Sequence, residues 1–288
     1  MRTEAMTTLT PLQVLDAAGQ GTELPLPTEL ARLYGSCRLP LRAERPYVMG
    51  NFVTTLDGVV SLNIPGQAGG GEISGFNTHD RMVMGLLRAA ADAVVVGAGT
   101  LRAVPHHVWT AGYVYPPLAD AYRELRNALG YTEPPLSVIV TSRGELDLSL
   151  PVFQAGEAPV LVVTTDRGAD LLKQRPLPPG VAVVAGVSEG RLTASAVLDA
   201  VQRVRQVGVI LVEGGPHLMG DFFAEQRLDE LFFTLAPQIA GRDKTTERPG
   251  LVEGRTFAPD KPLWGALVDI RRAGEHLFLR YAFPTAHQ

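Results

Sequence analysis

The chain has 288 residues, 45% of them apolar and 19% charged, with a formal net charge of -4. That is globular composition, with enough material for one large domain or two small ones. The acidic balance and the absence of any Lys/Arg block argue against a nucleic-acid binder, and no apolar run is long enough to span a membrane. Cys37 is the only cysteine, so an intrachain disulfide and a cysteine metal cluster are both excluded; the histidines show no metal-ligand spacing, and no metal is expected. The opening MRTEAMTTLTPLQVL lacks the apolar core of a signal peptide, which makes the cytoplasm the expected compartment.

Residues 1–45 read as an N-terminal extension with one or two short helical pieces, and residues 46–288 as one domain. YVMGNFVTT (47–55) is a strand, followed by Asp57-Gly58 between two apolar runs, a hairpin signal. GQAGGGEISG (66–75) is a glycine-rich loop. THDRMVMGLLRAAA (78–91) is a helix with Met82, Val83, Leu86, Leu87 and Ala90 on one side, capped by Asn77 or Thr78. DAVVVG (92–97) is a strand, 104–117 a loop with aromatic and proline residues, and LADAYRELRNALG a helix stopped by Gly130.

LSVIVT (136–141) and PVLVVT (159–164) are strands of the buried type, DRGADLLKQ is a short helix, and VAVVA (181–185) is another strand. TASAVLDAVQRVRQVG (193–208) is an amphipathic helix with Leu198, Val201 and Val204 inward. VILVE, a helix from Pro216 and ELFFTLAP (230–237) follow, and GALVDIRR and HLFLRYAF close the chain as an antiparallel hairpin. Short apolar strands alternating with helices make the class α/β: a mixed, mostly parallel sheet flanked by helices.

Ligands of open α/β sheets sit beyond the carboxyl ends of the strands, and four such ends are unusual here. VVVGAGT brings Gly97, Gly99 and Thr100 to one turn, where small residues admit a ligand to the backbone. LVEGGPHLMG ends a strand on Glu213, Gly214 and Gly215 and starts a helix at Pro216, leaving free N–H groups that favour an anion. Glu213 would repel a phosphate, so it suits a sugar hydroxyl or a ring N–H, or else loop amides. IVTSRG supplies Ser142 and Arg143, hydroxyl and guanidinium partners for a phosphate monoester such as the 2′-phosphate of NADPH. Thr54, Thr55 and Asp57 form a polar cluster able to orient a substrate or relay a proton, although Asp57 is also ordinary turn chemistry.

RPYVMGNFVTTLDG, LLRAAADAVVVGAGT, VIVTSRG and ILVEGGPHLMGDFFAEQRLDELFFTLAPQIAGR, in this order, resemble the reductase domain of riboflavin biosynthesis, the pyrimidine reductases, whose fold is dihydrofolate-reductase-like. The resemblance covers about 46–241. It implies a three-layer fold, NADPH as hydride donor and a homodimer. It places Thr54, Thr100, Ser142 and the backbone of Gly215, Pro216, His217 and Leu218 around the cofactor. It places Arg88 and Glu213 at the substrate and Asp57 near the site. Two departures stand out. The family's Asp-Asp-Pro and its later phosphate-binding Arg are replaced by LRAVPHHVWTAGYVY, where His106 and His107 read as a packed or solvated pair. The family's Trp-containing segment reads EISGFNTHD, with Ser74 at the substrate.

The expected function is NADPH-dependent reduction of a heterocycle-bearing small molecule, resembling the 5-amino-6-(5-phosphoribosylamino)uracil reductase. The altered phosphate loop keeps a dihydrofolate or dihydropterin reductase as an alternative. A nucleotide-binding paralogue without catalysis is the rival of another class.

Overall fold

The computed structural model describes residues 9–64 and 67–285. Residues 1–8 of the expected extension, 65–66 at the start of the glycine-rich segment, and 286–288 lie outside the described residues. The strands are β1 (Gln13–Ala17), β2 (Thr22–Glu23), β3 (Arg38–Leu39), β4 (Tyr47–Thr54), β5 (Ala93–Gly97), β6 (Leu136–Val140), β7 (Val160–Thr165), β8 (Val181–Val187), β9 (Val209–Val212), β10 (Glu230–Leu235), β11 (Ala266–Ala273) and β12 (His276–Ala282). The helices are α1 (Thr28–Tyr34), α2 (Gly70–Ser74), α3 (Thr78–Ala90), α4 (Ala98–Ala103), α5 (Ala111–Val114), α6 (Ala119–Ala128), α7 (Pro151–Gln154), α8 (Asp166–Lys173), α9 (Ala194–Val204) and α10 (Pro216–Ala224).

One sheet runs in the order β1-β11-β12-β10-β4-β9-β5-β6-β7-β8. From β10 to β8 all neighbours are parallel, and β12, β11 and β1 extend the sheet antiparallel. The expected mixed, mostly parallel sheet with a closing hairpin is therefore the observed one. Burial on both faces explains why the central strands read as unbroken apolar runs. Met49, Val94 and Val96 point to the layer that contains α3 and α6. Val48, Ala93 and Val95 point to the layer of α9 and α10. Because β4, β9, β5 and β6 are parallel, their carboxyl ends open along one edge of the sheet.

Several elements differ from the sequence reading. Among the described residues, the segment before Arg45 carries one helix, α1, and also three strands, of which β1 pairs with β11 at the sheet edge. Part of the glycine-rich loop is helix α2, with Gly75 in the left-handed conformation as its stop. Asp57 and Gly58 do make a turn, but no strand follows it, so there is no hairpin. Helix α9 ends at Val204, before Gly208, and its buried residues are Ala194, Val197, Ala200 and Val201. Val204 is exposed and is the last residue of the helix, with Arg205 already extended.

Gly85 sets how closely α3 packs on α6. A Cβ there would lie 2.4 Å from the Tyr122 ring, whose hydroxyl donates to the Met82 carbonyl at 3.0 Å. Gly85→Ala is therefore expected to destabilise the fold by roughly 1–3 kcal/mol by overpacking, against alanine's better helix propensity. Urea denaturation measures this; an unchanged or raised midpoint would contradict the packing argument.

Candidate active site

A cleft of about 950 Å³ opens at the carboxyl ends of the central strands. Its floor is the junction of β5 and β9. The Glu213 amide donates to the Val95 carbonyl at 3.0 Å and the Gly97 amide to the Gly214 carbonyl at 2.8 Å, so the two strands stay locked beyond their last paired residues. Gly214 has φ of +139°, in the region that favours glycine, and a Cβ on it would lie 2.7 Å from the Thr100 hydroxyl. The Gly214–Gly215 peptide is cis. Helix α10 then starts at Pro216 with Gly215 as its N-cap and no side-chain cap, which leaves its first amides to the cleft.

Gly97, Gly99 and Thr100 line the cleft, as do Gly214, Gly215 and Pro216. His217, Leu218, Ser142 and Arg143 line it as well. Gly99 is informative because a Cβ built on it meets nothing within 4 Å. Protein packing gives no reason for a glycine there, whereas a ligand lying against the backbone does. Arg143 is exposed and only loosely paired with Glu145 at 3.4 Å. This contact is worth little in water, so it competes weakly with a bound phosphate.

The structure brings Arg88 and Glu213 together as a buried ion pair. Arg88 Nη2 lies 2.7 Å from Glu213 Oε2, with the side chains 1% and 4% exposed. The guanidinium has five N–H donors, and all are used inside the protein. Nε donates to Glu213, Nη1 to the carbonyls of Val108 and Thr110, and Nη2 to Glu213 and to His107 Nε2 at 2.9 Å. Arg88 lines the cleft, as the resemblance implies for a residue at the substrate, and it also holds Glu213 and the 107–110 loop in place.

His107 must accept with Nε2, so its proton sits on Nδ1. Burial, with Arg88 and Arg81 nearby, lowers its pKa to about 3. Of the expected histidine pair, His106 is exposed, while His107 is packed edge-on against Trp109 and Tyr113 and lines the cleft.

Two expected residues are not brought in. Thr54 is buried and its hydroxyl donates to the carbonyls of Thr55 and Val59 within its own loop. Asp57 accepts from the Thr55 hydroxyl and from the amides of Ala240 and Gly241, which closes the loop after β4 onto the loop after β10. The Thr55 hydroxyl, then the Ala240 amide, hold its pKa down at about 2. Neither residue lines the cleft, so the proton-relay role expected of Asp57 falls away and turn chemistry accounts for it.

Sequence reasoning missed a further carboxyl that lines the cleft, Asp80 in the first turn of α3. It is 5% exposed. Burial pushes its pKa up to about 6, against hydrogen bonds from Thr234 and Ser74 and the nearby His276 and Arg81. Ser74, an expected substrate residue, lines the cleft beside it. This corner is braced by Asn77, which caps α3 through the amides of His79 and Asp80 and meets His276 Nδ1 at 3.1 Å; His276 Nε2 lies 3.0 Å from the Ser74 carbonyl. A signal existed in the sequence. Asp80 stands three residues before Val83 and seven before Leu87, so it is a charge on the apolar stripe of the helix.

The RibD C-terminal domain model matches residues 46–263. The chain belongs to the RibD C-terminal domain family. It is 32% identical over 214 residues to the 2,5-diamino-6-ribosylamino-4(3H)-pyrimidinone 5′-phosphate reductase of Archaeoglobus fulgidus, covering 74% of this chain and 89% of that protein. Among solved structures, the pyrimidine reductase-like protein of Corynebacterium diphtheriae superposes with a TM-score of 0.64 at 22% identity, covering 83% of this chain and 92% of that one. The Thermotoga maritima deaminase/5-amino-6-(5-phosphoribosylamino)uracil reductase gives 0.59 at 20% identity, covering 84% and 57%. The RibD C-terminal domain fold is thus the one seen here, and its family is one of reductases, as the motifs imply. Among the described residues no helix is long and apolar enough to cross a membrane.

Asp80 has a raised folded-state pKa, so ionising it opposes folding. The native state binds more protons than the unfolded state between about pH 4 and 6, and stability falls as pH rises through that window, by about 3 kcal/mol in total. Asp80→Asn removes this dependence. The stability of the variant relative to wild type is expected to rise from about pH 4 to 6 and level off above, measured by denaturant titration at each pH. A flat difference would contradict the burial of an ionisable Asp80.

Proposed function

We propose that this RibD-family chain is an NADPH-dependent reductase of a ribosylaminopyrimidine 5′-phosphate. One observation carries the reading: a single cleft joins side-chain-free turns at two strand ends to a carboxylate, Glu213, whose charge Arg88 balances at 2.7 Å. The open space over Gly99 and the uncapped start of α10 fit a dinucleotide pyrophosphate. Ser142 and Arg143 would hold the 2′-phosphate. NADPH, when bound, supplies the hydride.

Glu213 and Ser74 orient the heterocycle, and their fixed positions favour the aligned approach that hydride transfer needs. The phosphate-binding Arg missing from the 104–116 loop has substitutes in space. Arg81 and Arg102 both line the cleft, and Arg81 lies over the Phe76 ring. We assign the substrate phosphate to these two. A cytoplasmic location and a homodimer belong to the same reading; apolar Val14, Leu15 and Leu267 lie exposed near the β1–β11 edge, which suits a subunit contact.

The deciding experiment follows NADPH consumption by the purified protein with a ribosylaminopyrimidine phosphate, and separately with a dihydropterin. Turnover of the first is expected. Turnover of the dihydropterin alone would move the substrate assignment, and turnover of neither would overturn the reading. Cofactor choice is tested separately: NADPH should raise the melting temperature more than NADH at equal concentration. Arg143→Ala should erase roughly tenfold of that preference by removing a charge-assisted phosphate contact.

The two glycine turns give a matched pair. Gly99→Val should weaken NADPH binding at least about tenfold with little change in stability, since its side chain enters open space. Gly214→Ala should cost stability as well, roughly 1–3 kcal/mol from its backbone angle and its clash with Thr100. Equal behaviour of the two variants in binding and denaturation assays would contradict these assignments.

A further inference from the structure

Asp80 is a nearly buried carboxylate that faces a ligand cleft without an ion-pair partner among the described residues. Two hydroxyls lie beside it, Thr234 from β10 and Ser74 from α2, and Ser74 donates to the Gly71 carbonyl at 3.3 Å. Arg81 from its own helix and His276 from β12 act on it only through space. Two carboxylate oxygens offer about four acceptor positions, and two hydroxyls cannot fill them. Leaving the rest unpaired in a cleft closed by a ligand is costly. A ligand that brings two adjacent N–H donors removes the cost, and one that brings a carbonyl raises it.

The two kinds of reductase found among the similar proteins differ at this point in their substrates. The Archaeoglobus fulgidus protein is named for a 2,5-diaminopyrimidinone and the Thermotoga maritima protein for a uracil. The first ring carries N3–H beside a 2-amino group, donor next to donor. The second carries N3–H beside a C2 carbonyl, donor next to acceptor.

We propose that Asp80 is a specificity-determining residue that reads the N3–H and 2-amino edge, so that the substrate is the 2-amino-4-oxopyrimidine form and not its 2,4-dioxo counterpart. This rests on the reductase reading above. The Thr234 and Ser74 hydroxyls stand beside the carboxylate without filling its lone pairs, which leaves those lone pairs for the ring. The bracing of Asn77 and His276 fixes the first turn of α3, so the edge is read by a rigid element. A site built on such hydrogen bonds rejects the analogue lacking them far more strongly than an apolar pocket rejects a missing methylene. The raised pKa of Asp80 fits the same picture, because burial without a cationic partner is the state that a donor-rich ligand relieves.

The test compares kcat/KM for the 2-amino and 2-oxo forms of the ribosylaminopyrimidine phosphate, with NADPH, in wild type and Asp80→Asn. Wild type is expected to favour the 2-amino form by about a hundredfold or more, within the range such sites reach. The side-chain amide of Asp80→Asn offers one acceptor and one donor, which matches N3–H beside C2=O. The variant should therefore lose the preference or reverse it, while reduction of the 2-oxo form is kept or gained.

Wild type that uses both forms equally, or prefers the 2-oxo form, overturns the proposal and leaves the reductase reading standing. Wild type that uses neither overturns the ribosylaminopyrimidine reading on which the proposal rests. A variant that loses both activities alike, with its ratio unchanged and its fold intact by circular dichroism, also overturns the specificity role. If Asp80→Asn does not fold, Asp80→Ser serves in its place and should abolish the discrimination without reversing it; a preserved hundredfold preference in that variant would overturn the proposal.

Discussion

The Arg88–Glu213 ion pair is the contact on which the cleft depends. One guanidinium on α3 reaches the end of β9, two carbonyls of the 107–110 loop and the His107 imidazole. Three segments distant in sequence are thereby fixed relative to one another by a single buried side chain. Desolvating two charges is expensive, and the expense is offset only when every donor and acceptor is matched, which is the case for Arg88. The pair also resolves the oddity of a carboxylate beside a glycine turn suited to phosphate. With Arg88 at 2.7 Å the charge of Glu213 is balanced locally, and the uncapped start of α10 keeps its attraction for anions.

Electrostatics divides the cleft. Arg143 lies at the exit of β6, and Arg191 borders α10, where it donates to Asp221 at 2.7 Å and to the His217 carbonyl at 2.9 Å. Asp80 and Ser74 lie where α2 and α3 meet, beside Thr234 of β10. The guanidinium groups of Arg143 and Arg191 thus stand in the parallel half of the sheet, while Arg81 stands next to Asp80 at the start of α3. The carboxyl able to read a neutral ring belongs to the corner braced by the antiparallel hairpin through His276. His107, kept neutral by burial and by its bond from Arg88, adds an N–H without adding a charge.

The parallel half of the fold was legible because strands buried on both faces leave unbroken apolar runs, and because glycine turns must be written into the chain where they occur. The edge was not. Every residue of β1 is exposed, so it carries no alternation, and its partner β11 lies more than two hundred residues away. Strands of two residues, β2 and β3, are below what any periodicity can show. Helix α9 was found but its rotation was misjudged, since Val204 continues the spacing of Leu198 and Val201 while the buried face is that of Ala194, Val197, Ala200 and Val201.

The site divides along the same line. Strand-end residues whose local sequence is unusual line the cleft, as with Gly97 to Thr100 and Glu213 to Leu218. Thr54 and Asp57 were misplaced because the same local signal, polar residues after a strand, also describes a loop that satisfies its own amides. What decides between the two cases is the partner: Asp57 meets the amides of Ala240 and Gly241, contributed by the far side of another strand. Asp80 is the converse. Its spacing marked it as a charge on a buried stripe, yet only the arrival of Thr234 from β10 and of open cleft space beside it turns that anomaly into a recognition group. A polar residue in an apolar pattern is therefore the sign to follow, and the element that packs against it determines whether it closes a loop or faces a ligand.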